Sequence, residues 1–261
     1  MQLIALITAQ ARLHSLAELL EGETFHLHPV APRELGEQLA ALARLQFSGA
    51  VLPHIAEQTE AMQFITRVSP TSQEAGALCT VTTTPAGNIG DYLLGRALAA
   101  AMWSVSWDAR GARAVVIGEG AMCRAISRAL SSLGVSHLTV IAKDRPTAEH
   151  SLPVVAVTTA TEARAKNEAS SQYLLEQADL LICLDPQYTL DSALFGPHLS
   201  LIDMTEDPLS AMRKTAIQLG VSTLSHLDIQ AHHFALSIGH LLGQTVPVEP
   251  FLEVFHQELS E

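Results

Sequence analysis

The sequence predicts an α/β fold of mostly parallel sheets, divided between two domains. Three observations carry this reading. Short apolar runs alternate with longer helical patterns from the first residues on. A polar, glycine-broken stretch from Asp108 to Ala112 interrupts that pattern. Directly after it, Ala114-Val115-Val116-Ile117 restarts as a buried strand that leads into a glycine turn and a helix. At 261 residues the chain has room for one large domain or two small ones around a sizeable core.

In chain order, Leu3 to Ile7 reads as a strand and Leu13 to Leu20 as a helix. Thr24 to Val30 alternates, with Phe25 and Leu27 on one face and His26 and His28 on the other, as a half-buried strand does. Pro32 and Arg33 open a helix expected to reach about Leu45, and Gly49 to Leu52 is the next strand. A helix over about Glu57 to Arg67 is expected to stop at Ser69-Pro70. Ala77 to Thr83 reads as a strand, Pro85-Ala86-Gly87-Asn88 as a turn, and Tyr92 to about Trp107 as a long apolar helix. Past the break come strand 114–117, helix 121–133, strands 137–142 and 153–157, and a helix ending near Gln177. Strands 179–184 and 199–203, a helix to about Leu219, and terminal helices 229–242 and 248–259 complete the pattern.

Composition narrows the function. Nearly half the chain is apolar, and the net charge of −12 is spread without acidic or basic runs. Fifteen Lys plus Arg give no positive face, which excludes a nucleic-acid binder that tracks phosphates. Cys79, Cys123 and Cys183 lie far apart, with no C-x-x-C pair, and read as buried reduced thiols of a cytoplasmic protein. The apolar opening Met1 to Thr8 is short and has no basic flank, so it reads as a strand rather than a signal peptide. No apolar run reaches the ~18 residues that a membrane span needs. The His26/His28 and His232/His233 pairs have no third ligand at recognisable spacing, so no metal is expected.

The chemistry centres on Gly118-Glu119-Gly120-Ala121-Met122-Cys123-Arg124-Ala125, between a strand and a helix. The first glycine of such a turn permits a tight bend, and the second lets the backbone approach a pyrophosphate. The free N–H groups of the helix then meet the anion. This is a Rossmann-type dinucleotide-binding arrangement, with Gly118, Gly120, Ala121 and Arg124 as its contacts. Cys123 replaces the last glycine of the common fingerprint, and a small residue there still permits close helix packing. Cofactor choice is read at the end of the second strand, here Ala142-Lys143-Asp144-Arg145. Lys143 and Arg145 suit a 2′-phosphate and favour NADP; Asp144 suits a free ribose hydroxyl and leaves NAD open.

On these residues the sequence resembles the shikimate/quinate dehydrogenase family. The glycine turn is similar to that family's G-A-G-G-A-A-R-A, and Ala142-Lys143-Asp144 falls where its N-R-T cofactor motif lies. Ala178-Asp179-Leu180-Leu181-Ile182-Cys183-Leu184-Asp185-Pro186 is similar to A-D-L-I-I-N-A-T-P. Asp203 and Asp207-Pro208-Leu209 sit where D-x-x-Y-N-P-L is expected, with Glu206 in the tyrosine place. Ser69-Pro70 and Gly76-Ala77-Leu78-Cys79-Thr80 are similar to S-P-x-A-x-x-I-G-A-V-N-T. The resemblance implies a substrate-binding domain of residues 1–101 plus 229–261 and a dinucleotide-binding domain of residues 102–228, with a cleft between them. It also implies reduction of a cyclic keto acid with NADPH by a lysine and an aspartate.

The pattern then departs from the family. The only lysines are Lys143, Lys166 and Lys214, all in the second domain, whereas the family's catalytic lysine follows P-H in the first. Matching Pro53-His54 puts Ile55 in its place, and counting from Gly49 puts Glu57 there. The aspartate of N-T-D is matched by Asp91, which equally suits an N-cap for a helix starting at Tyr92. H-S-L-S-P is matched by His14-Ser15-Leu16-Ala17-Glu18, which keeps Ser15 as a substrate-binding hydroxyl and loses the other. The late glutamine falls on His233. His54 and His233 are the candidates to replace the lysine, because histidine titrates near neutral pH; with twelve histidines in the chain, a given one is more often a plain surface or helix residue.

Three functions follow in order of expectation. The first is an NADP-dependent oxidoreductase acting on a small hydroxy or keto compound other than shikimate. The second is a catalytically inactive nucleotide-binding protein of the same fold, and the third is an interaction module that has lost the nucleotide. The expected partner is a small-molecule substrate, without nucleic acid or membrane, and a homodimer is left open.

Overall fold

The computed structural model describes residues 1–10, 13, 24–153, 158–207 and 210–257. Its chain divides into two compact units, Met1–Ala97 with Ala231–Glu261, and Leu98–Gln230. Each unit has its own six-stranded sheet.

The first sheet contains β1 (Gln2–Ile7), β2 (Phe25–Val30), β3 (Phe47–Val51), β4 (Arg67–Val68), β5 (Thr80–Thr84) and β6 (Gly87–Asp91), in the order β2-β1-β3-β5-β6-β4. All strands run the same way except β5, which is antiparallel to both β3 and β6. The alternation read in β2 is real: Phe25 and Leu27 are buried, and His28 is exposed. On one side of this sheet Ile7, Leu39, Leu52, Leu78 and Val81 close a core with Phe47.

The second sheet contains β7 (Arg113–Ile117), β8 (His137–Ala142), β9 (Ala160–Ala165), β10 (Leu180–Cys183), β11 (Ser200–Asp203) and β12 (Ser222–Ser225). Its order is β12-β11-β10-β7-β8-β9, and every pair is parallel. The order reverses between β7 and β10. That switch point opens a crevice beyond the carboxyl ends of the strands, where doubly wound folds bind ligands. The near-continuous apolar runs of β7, β8 and β10 suit strands covered on both faces.

Several boundaries differ from the sequence reading. Ser69-Pro70 starts a helix instead of ending one: the Ser69 hydroxyl accepts from the Ser72 N–H, and Pro70 sits in the first turn of Pro70–Ala75. The preceding helix is Ile55–Ala61, and Arg67–Val68 beyond it is a strand. Gly87 to Asp91, read as a turn and a cap, pairs with β5 from Thr84↔Gly87 to Thr80↔Asp91. Asp91 therefore ends a strand, and the following helix is Leu94–Ser104. The helix placed after Pro32 begins only at Leu35, behind Glu34 in a left-handed conformation, and ends at Ala41. Helix Arg145–His150 and β12 were not foreseen. The strand expected at 153–157 falls largely on 154–157, outside the described residues, and β9 lies at Ala160–Ala165. The helix expected over Leu13 to Leu20 also lies, apart from Leu13, outside them. Among the described residues no helix is long and apolar enough to cross a membrane.

Gly49 is a close-approach position in β3. A Cβ there would lie 2.2 Å from the Val81 carbonyl oxygen and 2.5 Å from Leu241 Cδ2. The oxygen belongs to the neighbouring strand, so it cannot retreat without opening the β3–β5 ladder. Gly49→Ala is expected to cost ~1–3 kcal/mol of stability through overpacking. Chemical denaturation should show a lower midpoint, and an unchanged midpoint would mean that the two strands separate freely.

Candidate functional site

In the second unit, β7 runs directly into the glycine turn. Gly118 adopts φ 152° and donates its N–H to the Ile141 carbonyl at 3.0 Å. A side chain there would meet Leu184 Cβ at 2.7 Å, so the tight bend is enforced by the chain following β10. Gly120 adopts φ 83°, which favours glycine, and a Cβ on it would meet nothing within 4 Å. Gly120 also opens the thirteen-residue helix Gly120–Ser132. The residue before it, Glu119, places no side-chain cap on that helix. The first N–H groups therefore face an open approach, as anion binding requires. Ala121 and Cys123 are buried beneath the turn, where burial pushes the Cys123 thiol up to about 11. Cys123 thus packs the helix and is no nucleophile at neutral pH. Arg124 is half-buried one turn into the helix.

The end of β8 carries a more elaborate set of charges than the sequence suggested. Lys143 Nζ lies 3.5 Å from Glu119 Oε1. Asp144 is occupied as the N-cap of Arg145–His150: it accepts from the Thr147 N–H at 2.8 Å. Hydrogen bonding from Thr147, hydroxyl first and N–H second, holds its carboxyl below the ordinary aspartate range. Arg145 pairs with Glu149 one turn on. Past β9 and β10, Lys166 and Asp185 form an ion pair. Burial raises the Asp185 pKa, yet the Lys166 contact and the Gln187 N–H outweigh it and bring the group below its usual value.

In the first unit the polar side chains gather at the carboxyl edge of β1, β3, β4 and β6. The register row Val51↔Thr80↔Asp91 sets the end of β6 level with that of β3. His54 lies three residues past β3, as the N-cap residue of Ile55–Ala61. Its Nε2 is 3.0 Å from the hydroxyl of Thr8, the residue after β1. Asp91 accepts from the Ser69 hydroxyl at 2.5 Å and from the Tyr92 N–H at 2.7 Å. Its other oxygen is 3.9 Å from His240 Nε2, on helix His226–Leu242. The Ser69 and His240 contacts were not read from the sequence; their partners lie 22 and 149 residues away from Asp91.

His233 stands apart from these groups. It is buried, its Nε2 has no hydrogen-bond partner among the described residues, and desolvation pulls its pKa down to about 4. Ser237, four residues on, is likewise fully buried with an unpartnered hydroxyl. A histidine held neutral in this way is a poor proton shuttle at neutral pH. Ser15 lies outside the described residues. Among the described residues no group of three His, Cys, Asp or Glu is placed to hold a metal ion.

The shikimate dehydrogenase (NADP(+)) of Symbiobacterium thermophilum is 26% identical over 93% of this chain and 87% of its own length. The chain is thus similar, at low identity, to shikimate dehydrogenases. Solved structures share the fold at lower identity. The Listeria monocytogenes shikimate 5-dehydrogenase, in complex with shikimate and NAD, superposes with a TM-score of 0.81 at 17% identity, covering 97% of this chain and 96% of that one. The ligand-free 5-ketofructose reductase of a Gluconobacter species superposes with a TM-score of 0.80 at 17% identity, over 99% and 98%. No family model matches the chain.

The burial of His233 couples its protonation to stability. Its folded pKa, about 4, lies below the ~6.5 of an unperturbed histidine. The unfolded chain thus binds a proton that the folded chain refuses, and stability is lost as pH falls from 6.5 through 4. The contribution at stake is on the order of 3 kcal/mol. Denaturant unfolding across that window is expected to be flatter by this amount in His233→Leu; an unchanged slope would show that His233 protonates freely in the fold.

Proposed function

We propose that the protein is an NADP-dependent oxidoreductase acting on a small hydroxy or keto compound other than shikimate. Residues 98–230 serve as the dinucleotide-binding domain, and the first unit as the substrate-binding domain. The observation that carries the reading is the glycine turn at the β7/β10 switch point: an open Gly120 with positive φ, beside uncapped helix N–H groups. A pyrophosphate fits there because a side chain would fill the same space. Gly118, Gly120 and Ala121 would hold it through the backbone, and Lys143 would be the group to meet a 2′-phosphate. Asp144 is committed to its helix cap, so the acid that would favour NAD is already used. The relative from Symbiobacterium carries NADP(+) in its name.

When bound, the nicotinamide supplies or accepts the hydride. What remains for the chain is to hold the substrate and move the hydroxyl proton. His54 and Asp91 share the edge of the first sheet on which such a proton would be exchanged. The hydroxyls of Thr8 and Ser69 orient them. Ser15 would bind a substrate hydroxyl. Shikimate is set aside because no lysine occurs before residue 143. The fold accommodates other substrates, as the ketofructose reductase exemplifies. The missing lysine also favours a second reading, in which the chain binds the dinucleotide and performs no chemistry.

Calorimetry with NADPH and NADH tests the turn: wild type binds, and Gly120→Leu loses binding because the side chain fills the pyrophosphate approach. Equal affinity in that variant would reduce the turn to a structural feature. A steady-state assay with shikimate and quinate, each with NADP and NAD, is expected to stay below about 1 s⁻¹, the low end of ordinary enzymes. Faster turnover would overturn the substrate claim. On whichever substrate a screen at the nicotinamide absorbance finds, Asp91→Asn and His54→Phe should each lower kcat by ~10²–10⁴-fold with dinucleotide affinity unchanged. Binding without turnover on any substrate would establish the second reading.

A further inference from the structure

We propose that Glu119 is a selectivity residue: it holds Lys143 against the glycine turn and disfavours a dinucleotide that carries a 2′-phosphate. The inference rests on the dinucleotide reading and deepens it, since no acidic residue at the end of β8 is left to choose between cofactors.

The register places the pair. Ile117 of β7 lies opposite Ile141 of β8. Glu119 and Lys143 each follow by two residues, so they stand level across the ends of two adjacent parallel strands. Glu119 occupies the N-cap position of Gly120–Ser132, yet its carboxylate makes no capping bond and instead faces Lys143 Nζ at 3.5 Å. The other charges of the segment are engaged locally, Asp144 with the Thr147 N–H and Arg145 with Glu149. Lys143 is thus the cation of this segment whose partner belongs to the phosphate-binding turn itself.

A dinucleotide on the turn places its adenosine ribose at the end of β8. A free ribose brings hydroxyls, from which Glu119 can accept and to which Lys143 can donate, and the ion pair persists. A 2′-phosphate brings negative charge beside Glu119 and needs Lys143 for itself, so the pair must open. Both side chains are about half exposed or more, at 63% for Lys143 and 47% for Glu119. Water therefore screens the interaction and limits it to a modest bias. The consequence is a preference for NADP over NAD smaller than the charge of Lys143 alone would give.

The test is calorimetric affinity for NADPH and NADH in wild type, Glu119→Gln, Lys143→Met and the double variant, at low and high salt. Glu119→Gln is expected to tighten NADPH roughly three- to tenfold, within the range of exposed ion pairs, and to leave NADH within about twofold. In the Lys143→Met background the gain should shrink, and high salt should erode it. Glu119 is exposed, so unchanged thermal unfolding will show that the variants fold. If wild type binds both dinucleotides and Glu119→Gln leaves their ratio unchanged or lowers it, the inference fails while the dinucleotide reading stands. If neither wild type nor any variant binds either one, the dinucleotide reading fails and this inference with it.

Discussion

In a sheet whose strands run parallel, every strand delivers its next residues to the same edge, and that constraint organises each unit of this protein. In the second unit β7, β8, β9 and β10 end together, so Gly118, Lys143, Lys166 and Asp185 come from four distant segments to one rim. In the first unit β1, β3, β4 and β6 do the same for Thr8, His54, Ser69 and Asp91. Because β5 alone runs backwards, it contributes its amino end to that rim, and Cys79 and Thr80 occur there instead of a strand exit. Burial pushes the Cys79 thiol up to about 11, and the Leu93 N–H donates to its sulfur. It is a packing residue among polar neighbours.

Electrostatics are managed locally at both rims. The chain carries a net charge of −12, which would repel a phosphate ligand at a distance. Attraction would have to come from short-range features: helix-start N–H groups without a side-chain cap, and a lysine within reach. The turn also carries its own carboxylate, which a backbone phosphate site does not need. In the first unit the Asp91 carboxylate accepts from a hydroxyl and an amide, with no lysine or arginine bridge among the described residues. Such hydrogen bonds hold a carboxylate in one orientation and leave its outer oxygen, near His240, available to a further donor.

The glycine turn was legible from sequence because strand, turn and helix are contiguous, and each leaves its own pattern. The two sheets were legible through apolar periodicity, strongest in β7, β8 and β10. The misread elements have weak or ambiguous local signals. Gly87-Asn88-Ile89-Gly90-Asp91 carries two glycines and an asparagine, residues that mark turns, and becomes a strand only because β5 lies beside it. Ala-Thr-Glu-Ala-Arg-Ala, at the sheet's edge as β9, is too polar to announce itself. Ser69-Pro70 reads locally as a stop, although serine followed by proline equally marks a helix start, and the Ser72 N–H decides for the latter. The tertiary partners of the site residues left no local trace: nothing in the letters joins Thr8 to His54 or Asp91 to His240. The same holds for His233: nothing local shows that its ring is buried and desolvated.

A histidine at the end of β3, acting where the resemblance implies a lysine, would change more than the identity of an acid. A lysine ammonium is charged across the physiological range and binds a developing oxyanion whether or not it transfers its proton. An imidazole lacks that fixed charge and offers instead a ring nitrogen that can either donate or accept a proton. The Thr8 hydroxyl can both donate and accept, so it supports either tautomer of His54 and either protonation state. The carboxylate of Asp91 then remains the one fixed charge identified at this rim, and it is negative. On the reading proposed above, a site built this way would gain little from a substrate that is itself an anion. It would gain more from a neutral carbonyl compound, whose reduction would draw a proton from His54 without stranding charge.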